Sequence, residues 1–208
     1  MTQNTRIPST FLTHRFTQAV AYASALHATQ VRKDSDIPYI SHLLAVAGSV
    51  IEAGGDEDMA IAALLHDAAE DQGGEARVHD IGTRFGARVA AIVRGCSDTL
   101  VADRAHKEEY GLRKSKYVAH LKVADLNTVV VATADKLHNA RAILTDLQIG
   151  GEDTLEKFTG SKQQILDYYT TCLSTAKARG VPEILTVPLD HAVSEIASLL
   201  SGGGRRGS

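Results

Sequence analysis

"LNTVVVATADKLHNARAIL", residues 126–144, decides what kind of fold this chain adopts. By propensity, Val129, Val130 and Val131 favour a strand, because β-branched side chains pack well on a pleated surface. By spacing, Val130, Ala134, Leu137, Ala140, Arg141 and Leu144 recur as one face of a helix. The segment is read as helix, mainly because its neighbours are helices. A buried helix tolerates β-branched residues when packing compensates.

The neighbours carry clearer signals. Phe16 to Leu26 has the pattern of a first helix. After Pro38, apolar residues at Ile40, Leu43, Leu44, Ala47, Val50 and Ile51 repeat at helical spacing until Gly54-Gly55. Asp56 is placed to cap the next helix, with Glu57 and Asp58 in its first turn. Ile81, Phe85, Val89 and Ile92 predict one or two short amphipathic helices broken near Gly86. Further helices are expected over Gln163–Ala178 and Asp190–Leu200, with a turn between them through Pro182 and Pro188. The expected architecture is all-α, a single-domain helical bundle.

The chain has 208 residues, 44% of them apolar, which suits one ordinary domain. That domain is assigned to residues 1–200, and "SGGGRRGS" (201–208) is read as a disordered Gly/Arg-rich tail. A net charge of −3 gives no global reason to expect nucleic acid or an anionic membrane as partner. Cys96 and Cys172 are too few and too far apart for a disulfide framework or a CxxC site, so free thiols in a reduced cytosol are expected. No apolar run has membrane-spanning length, and "MTQNTRIPSTFLTHRF" lacks the regions of a signal peptide. A cytoplasmic protein is the expectation; nothing in the pattern specifies an oligomeric state.

"AIAALLHDAAEDQGG" (60–74) conflicts with its own setting. An apolar helix ends in His66, Asp67, Glu70 and Asp71 before Gly73 and Gly74. Helix C-termini favour cations, and Asp67 with Asp71 is a like-charge i,i+4 pair. A bound cation would resolve the conflict. In a continuous helix Glu70 lies one turn beyond His66, and Asp71 one turn beyond Asp67. The inner pair would then hold a metal and the outer pair would face a water and substrate. Two more polar residues lie in apolar helical surroundings: His42 after "IPYI", and Asp135 in "VVVATADKL". An unpaired buried carboxylate is heavily penalised, so Asp135 needs a cation or several donors. His42, His66, Asp67 and Asp135 form a His₂Asp₂ set that suits Mn²⁺, Fe²⁺ or Zn²⁺ better than an all-oxygen Mg²⁺ site.

"LLHDAAED" (64–71) followed at a distance by "ADKLHNAR" (134–141) resembles the HD-domain metal-dependent phosphohydrolases. "HATQVRKDSDIPYISHLLAVA" (27–47) and "IGTRFGARVAAIVRGCSDT" (81–99) narrow the resemblance to the hydrolase domain of RelA/SpoT-type alarmone enzymes, closest to the stand-alone small alarmone hydrolases. It runs from about His27 to Tyr169. The resemblance implies an all-α bundle around one metal, typically Mn²⁺, held by His42, His66, Asp67 and Asp135. It implies hydrolysis of the 3′-pyrophosphate of a guanosine alarmone, with Glu70 and Asp71 as the catalytic acid pair. It also implies Arg32 on the base, Lys33 near phosphate, Asn139 near the ribose, Arg113 or Lys114 over the pyrophosphate, and Tyr168 beside the nucleoside.

The chain departs from the family in two places. Leu43 stands where fused members have proline, as in the stand-alone group. Gln164 stands where an arginine is expected one turn before Tyr168, with Lys162 as a nearby substitute. No synthetase domain follows, so degradation alone is expected. The adenine analogues (p)ppApp are one alternative, because no base-edge contact is identifiable; removal of the 2′-phosphate of NADPH, or of phosphate from another nucleotide, is the other. A non-catalytic nucleotide sensor is the contrasting class; the presence of all four ligands and both outer acids weighs against it.

Overall fold

The computed structural model describes residues 11–98 and 109–202. Its helices are α1 (His14–Leu26), α2 (Ile40–Glu52), α3 (Glu57–Leu65), α4 (Ala68–Gln72), α5 (Gly74–Phe85), α6 (Ala87–Cys96), α7 (Tyr110–Leu121), α8 (Leu126–Gly150), α9 (Lys162–Ala178) and α10 (Glu183–Gly202). A 3₁₀ segment, Glu152–Lys157, follows α8. Among the described residues the only extended pairing is an isolated bridge between Val31 and Pro38. The tail expected beyond residue 200 lies outside the described residues from position 203 onward, and Ser201 and Gly202 continue α10.

The segment over residues 126–144 is helix, part of the 25-residue α8. Asp125 caps its start by accepting from the Asn127 backbone N–H at 2.9 Å. Val129 to Ala132 and Ala134 are all buried, as are Leu137, Ala140, Ile143 and Leu147. A helix apolar around its whole circumference is a helix surrounded by others. α8 packs against α2, α3, α6, α9 and α10, and this burial overrides the strand propensity of the valine run. α3 is equally enclosed, with every residue from Met59 to Leu65 buried.

Two expectations need correction. Pro188 does not sit in a turn: it is inside α10. Proline there removes the hydrogen bond to the Ile184 carbonyl, at a cost of about 3 kcal/mol. Leu185, Leu189, Val193 and Ile196 are buried along one face. Each such side chain contributes about 1.5–3 kcal/mol, so packing outweighs the proline. Ile184 itself is exposed, which leaves its region open to water.

The second correction concerns residues 60–74, which are not one helix. α3 stops at Leu65 and α4 starts at Ala68. The His66 imidazole causes the break: its Nδ1–H donates to the Ala63 carbonyl at 2.8 Å. In a continuous helix that carbonyl would accept from the Asp67 N–H. Glu70 and Asp71 therefore lie in the first turn of α4, where the helix dipole favours acids. Gly73 (φ +131°) ends α4 in a conformation that a side chain would strain, and Gly74 begins α5.

Candidate functional site

Two helices and the break between α3 and α4 converge at one point. α2 contributes His42, fully buried; the break contributes His66 and Asp67; the middle of α8 contributes Asp135. Asp135 Oδ1 lies 3.2 Å from His42 Nε2 and 3.5 Å from His66 Nε2. Asp67 Oδ2 lies 3.0 Å from His66 Nε2 and 3.5 Å from His42 Nε2. His42, His66 and Asp67 offer ligand atoms within 4.8 Å of one another.

The far side of each ring fixes what the near side presents. A carbonyl only accepts, so His66 Nδ1 carries a proton toward Ala63, and in its neutral form the ring turns an Nε2 lone pair inward. His42 Nδ1 lies 2.8 Å from His138 Nδ1. Burial, then the charges of His42 and Arg32, push the His138 imidazole down to about 4. A neutral His138 can accept at Nδ1 from His42 Nδ1–H, the arrangement that leaves the His42 Nε2 lone pair facing the carboxylates. Both Nε2 atoms are buried and neither makes a hydrogen bond. Inward lone pairs, outer hydrogen bonds that fix the tautomer and adjacent carboxylates are the donor set a divalent metal requires.

The electrostatics agree. Burial works against charge on Asp67 and Asp135. For Asp67 the His66 charge and the closeness of both imidazoles outweigh it. For Asp135 the Lys136 ammonium and both histidines do the same, and each carboxyl is held well below its usual range. Burial also opposes charge on His66, yet Asp67 and Asp135 raise its imidazole well above the ordinary value. Positive charge is favoured at the centre of this group. Tyr39 braces it by donating its hydroxyl to Asp67 Oδ2 at 2.6 Å, and Asn139 donates to Asp135 Oδ1 at 2.5 Å.

A cavity of about 210 Å³ adjoins this group. Glu70 and Asp71 line it beside Asp67 and Asp135. The Asp98 backbone N–H donates to Glu70 Oε2 at 3.2 Å, and the Gln30 amide donates to Asp71 Oδ2 at 2.8 Å. Arg32, Asn139, Lys114 and Tyr168 also line the cavity. Arg32 Nη2 donates to Asn139 Oδ1 at 2.8 Å, with its guanidinium 5.7 Å from the Tyr39 ring centroid. Arg113 stands 4.0 Å from Glu70 Oε1 and pairs with Asp98, which also holds Lys114 at 2.7 Å. Burial, followed by the nearby Lys136 charge, lowers the Lys114 ammonium from its ordinary value. A second cavity of about 350 Å³, between α7 and α9, shares Lys114 and Tyr168 with the first.

Two expected contacts are not brought together. Lys33 is exposed and lies over the Phe158 ring at 5.6 Å, away from the cavity lining. Its side chain leaves a tight loop in which Asp34 has φ +52° and Arg32 N bonds Ile37 O. Lys162 does not replace the missing arginine: it pairs with Glu152 at 2.5 Å and lines neither of these cavities, while Gln164 completes the capping box of α9. Conversely, Lys136, Tyr117 and Asp98 line the cavity and have no place in the site that the resemblance implies. Lys136 had a signal: a lysine directly after a buried acid is its nearest counterion. Burial opposes its charge, and Asp135 more than restores it.

Comparison with known proteins adds four findings. A family model described as HD domain matches residues 19–158. A protein of Xenopus tropicalis named guanosine-3′,5′-bis(diphosphate) 3′-pyrophosphohydrolase MESH1 is 31% identical over 178 residues, covering 84% of this chain and 90% of that protein. A probable guanosine-3′,5′-bis(diphosphate) 3′-pyrophosphohydrolase of Synechocystis is 34% identical over 126 residues, or 61% of this chain, and there the match spans only 16% of the relative's length. Among solved structures, one described as a metazoan orthologue of SpoT that hydrolyses ppGpp superposes with a TM-score of 0.69 at 26% identity, over 89% of this chain and 97% of that one.

Proposed function

Because the chain belongs to the HD domain family, we propose that it is a metal-dependent phosphohydrolase that removes the 3′-pyrophosphate of guanosine alarmones, ppGpp and pppGpp. An HD domain implies a divalent metal, and His42, His66 and Asp67 are close enough to share one. In this reading Asp135 completes the set, one ion binds per chain, and the imidazole–carboxylate donors favour Mn²⁺, with Fe²⁺ or Zn²⁺ as substitutes. The observation that carries the proposal is that a cavity lined by Asp67, Asp135, a pair of outer acids and a basic wall adjoins two buried imidazole nitrogens without a hydrogen-bond partner. The near-full-length relative in Xenopus tropicalis, named for this activity, supports the substrate class.

When bound, the ion supplies Lewis acidity and lowers the pKa of a coordinated water. The other roles belong to the chain. Glu70 and Asp71 orient the attacking water and take its proton. The water oxygen joins the phosphorus, the bond to the ribose 3′ oxygen breaks, and that oxygen receives the proton. The products are pyrophosphate and the guanosine 5′-di- or triphosphate. Arg32 stacks on the base, held flat by Asn139, which also serves the ribose side. Tyr168 contacts the nucleoside, and Lys114 and Arg113, joined by Lys136, face the pyrophosphate.

Product analysis tests the proposal. Purified protein with Mn²⁺ is offered ppGpp, pppGpp, pppApp and NADPH separately. Pyrophosphate release from the guanosine tetra- and pentaphosphate is expected. Orthophosphate from NADPH, with no turnover of the other three, would overturn it.

A further inference from the structure

His27, Gln30 and Asp71 form a chain of side chains that reaches the cavity from outside it. His27 follows α1 as its C-cap and is 2% exposed. Its Nδ1 lies 2.7 Å from Gln30 Oε1, and Gln72 Nε2 donates to the same oxygen at 3.2 Å. Gln30 Nε2 then donates to Asp71 Oδ2 at 2.8 Å. Only one orientation of the Gln30 amide satisfies all three contacts. Reversed, its oxygen would face the Asp71 carboxylate and its NH₂ would face the Gln72 amide donor.

The histidine is retained at a cost. An amide oxygen cannot donate, so Nδ1 of His27 must carry the proton. Its Nε2 is buried without a partner. A buried unpartnered polar atom is unfavourable, and an apolar side chain stacked on Tyr39 would avoid it. His27 does stack on Tyr39, at 5.3 Å between centroids and 23° between planes. Stacking alone therefore does not account for an imidazole; the donor to Gln30 does.

We propose that Gln30 is a positioning residue for Asp71, oriented in turn by the Nδ1–H of His27. The amide N–H holds one carboxylate oxygen of Asp71 and thereby fixes the plane of the carboxylate relative to the water it serves. Neither His27 nor Gln30 lines the cavity, so neither touches the substrate. The kinetic part of the inference rests on the reading of Asp71 as one of the two catalytic acids; the tautomer part does not.

Three variants and one spectroscopic measurement test it. Gln30→Glu keeps the length and shape of the side chain but replaces the donor to Asp71 with an acceptor. Its kcat for ppGpp should fall about 10- to 100-fold, the scale of a misplaced reacting group, with KM and Mn²⁺ affinity by calorimetry unchanged within about twofold. His27→Ala should lower kcat in the same way, and His27→Asn, whose amide N–H can stand in for Nδ1–H, should restore most of that loss. Nitrogen NMR of isotope-labelled histidines should show His27 of the unaltered protein as the Nδ1–H tautomer. A wild-type kcat in Gln30→Glu overturns the proposal. So does an Nε2–H tautomer, or failure of His27→Asn to improve on His27→Ala. If the unaltered protein does not turn over ppGpp, the functional reading fails, and the tautomer still decides the geometry.

Discussion

Asp135 Oδ1 and His42 Nε2 lie 3.2 Å apart, joining the centre of α8 to the first turn of α2. The other oxygen of Asp135 receives the Lys136 ammonium. One carboxylate therefore serves the proposed metal and neutralises a buried cation. Asp135→Ala should abolish Mn²⁺ binding in calorimetry. It should also destabilise the protein by about 3–5 kcal/mol in urea titration, because Lys136 is left buried and unpaired. Retained metal binding in this variant would remove Asp135 from the proposed ligand set.

Glu70 and Asp71 stand outside the histidine–aspartate group, held by Asp98 and Gln30 respectively. The double variant Glu70→Gln, Asp71→Asn should bind Mn²⁺ as the unaltered protein does, while kcat falls about 10²- to 10⁴-fold, the usual contribution of acid–base catalysis. Normal turnover would make these acids ordinary surface groups.

Arg32 is steered by Asn139 and Tyr39 rather than by the acids. Its loss should weaken binding more than chemistry. Arg32→Ala is expected to raise KM for ppGpp about tenfold and leave kcat nearly unchanged, the pattern of an interaction common to ground and transition states. Steady-state kinetics that show a fall in kcat alone would contradict a stacking role.

Acid sensitivity should have a component outside the cavity lining. The Tyr22 hydroxyl first, then Arg84, hold the Asp80 carboxyl below its usual value, and the contact ties α1 to α5. A depressed carboxylate contributes stability above its unfolded pKa and loses it as pH falls through the folded one. Asp80→Asn should therefore lower the urea midpoint at about pH 7, and the difference should be smaller at about pH 3. An equal difference at both pH values would show that the carboxylate charge is not the cause.

Pro188 can be tested in the opposite direction. Pro188→Ala restores an N–H toward the Ile184 carbonyl within α10. It should raise stability by about 1–3 kcal/mol in chemical denaturation. A loss of stability would mean that the ring packs more than its position suggests.

Most of the bundle was legible because helical spacing reports burial directly. Ile40 to Ile51 and Gln163 to Ala178 repeat at that spacing and form helices with a buried face, although Leu44 turns out to solvent. Asp56 caps α3 by accepting from Met59 N, as its position implied. Periodicity fails where one atom competes with the backbone. The bond from His66 Nδ1 to the Ala63 carbonyl breaks a helix whose residues all favour continuing it, and no pattern of apolar residues encodes it. Pro188 misleads for the converse reason: its local rule is correct, but the buried face of α10 outweighs it. For the site, the convergence of His42, His66, Asp67 and Asp135 followed from polar residues in apolar settings. Lys33 could not be placed that way. Adjacent Arg32 and Lys33 point in different directions, and the loop that carries both is closed by backbone hydrogen bonds from Arg32 N to Ile37 O and from Tyr39 N to Gln30 O.

α8 is enclosed by five other helices, and a single turn of it carries Asp135, Lys136, His138 and Asn139. The central strut and the chemical platform are thus the same piece of chain, and a substitution there is judged twice, for folding and for reactivity. Diversification of substrate preference has to come from what approaches that platform: the loop bearing Arg32, and the α7 face bearing Arg113 and Lys114. A library confined to those two borders, with α8 held constant, is the economical route to a changed nucleotide preference in this scaffold.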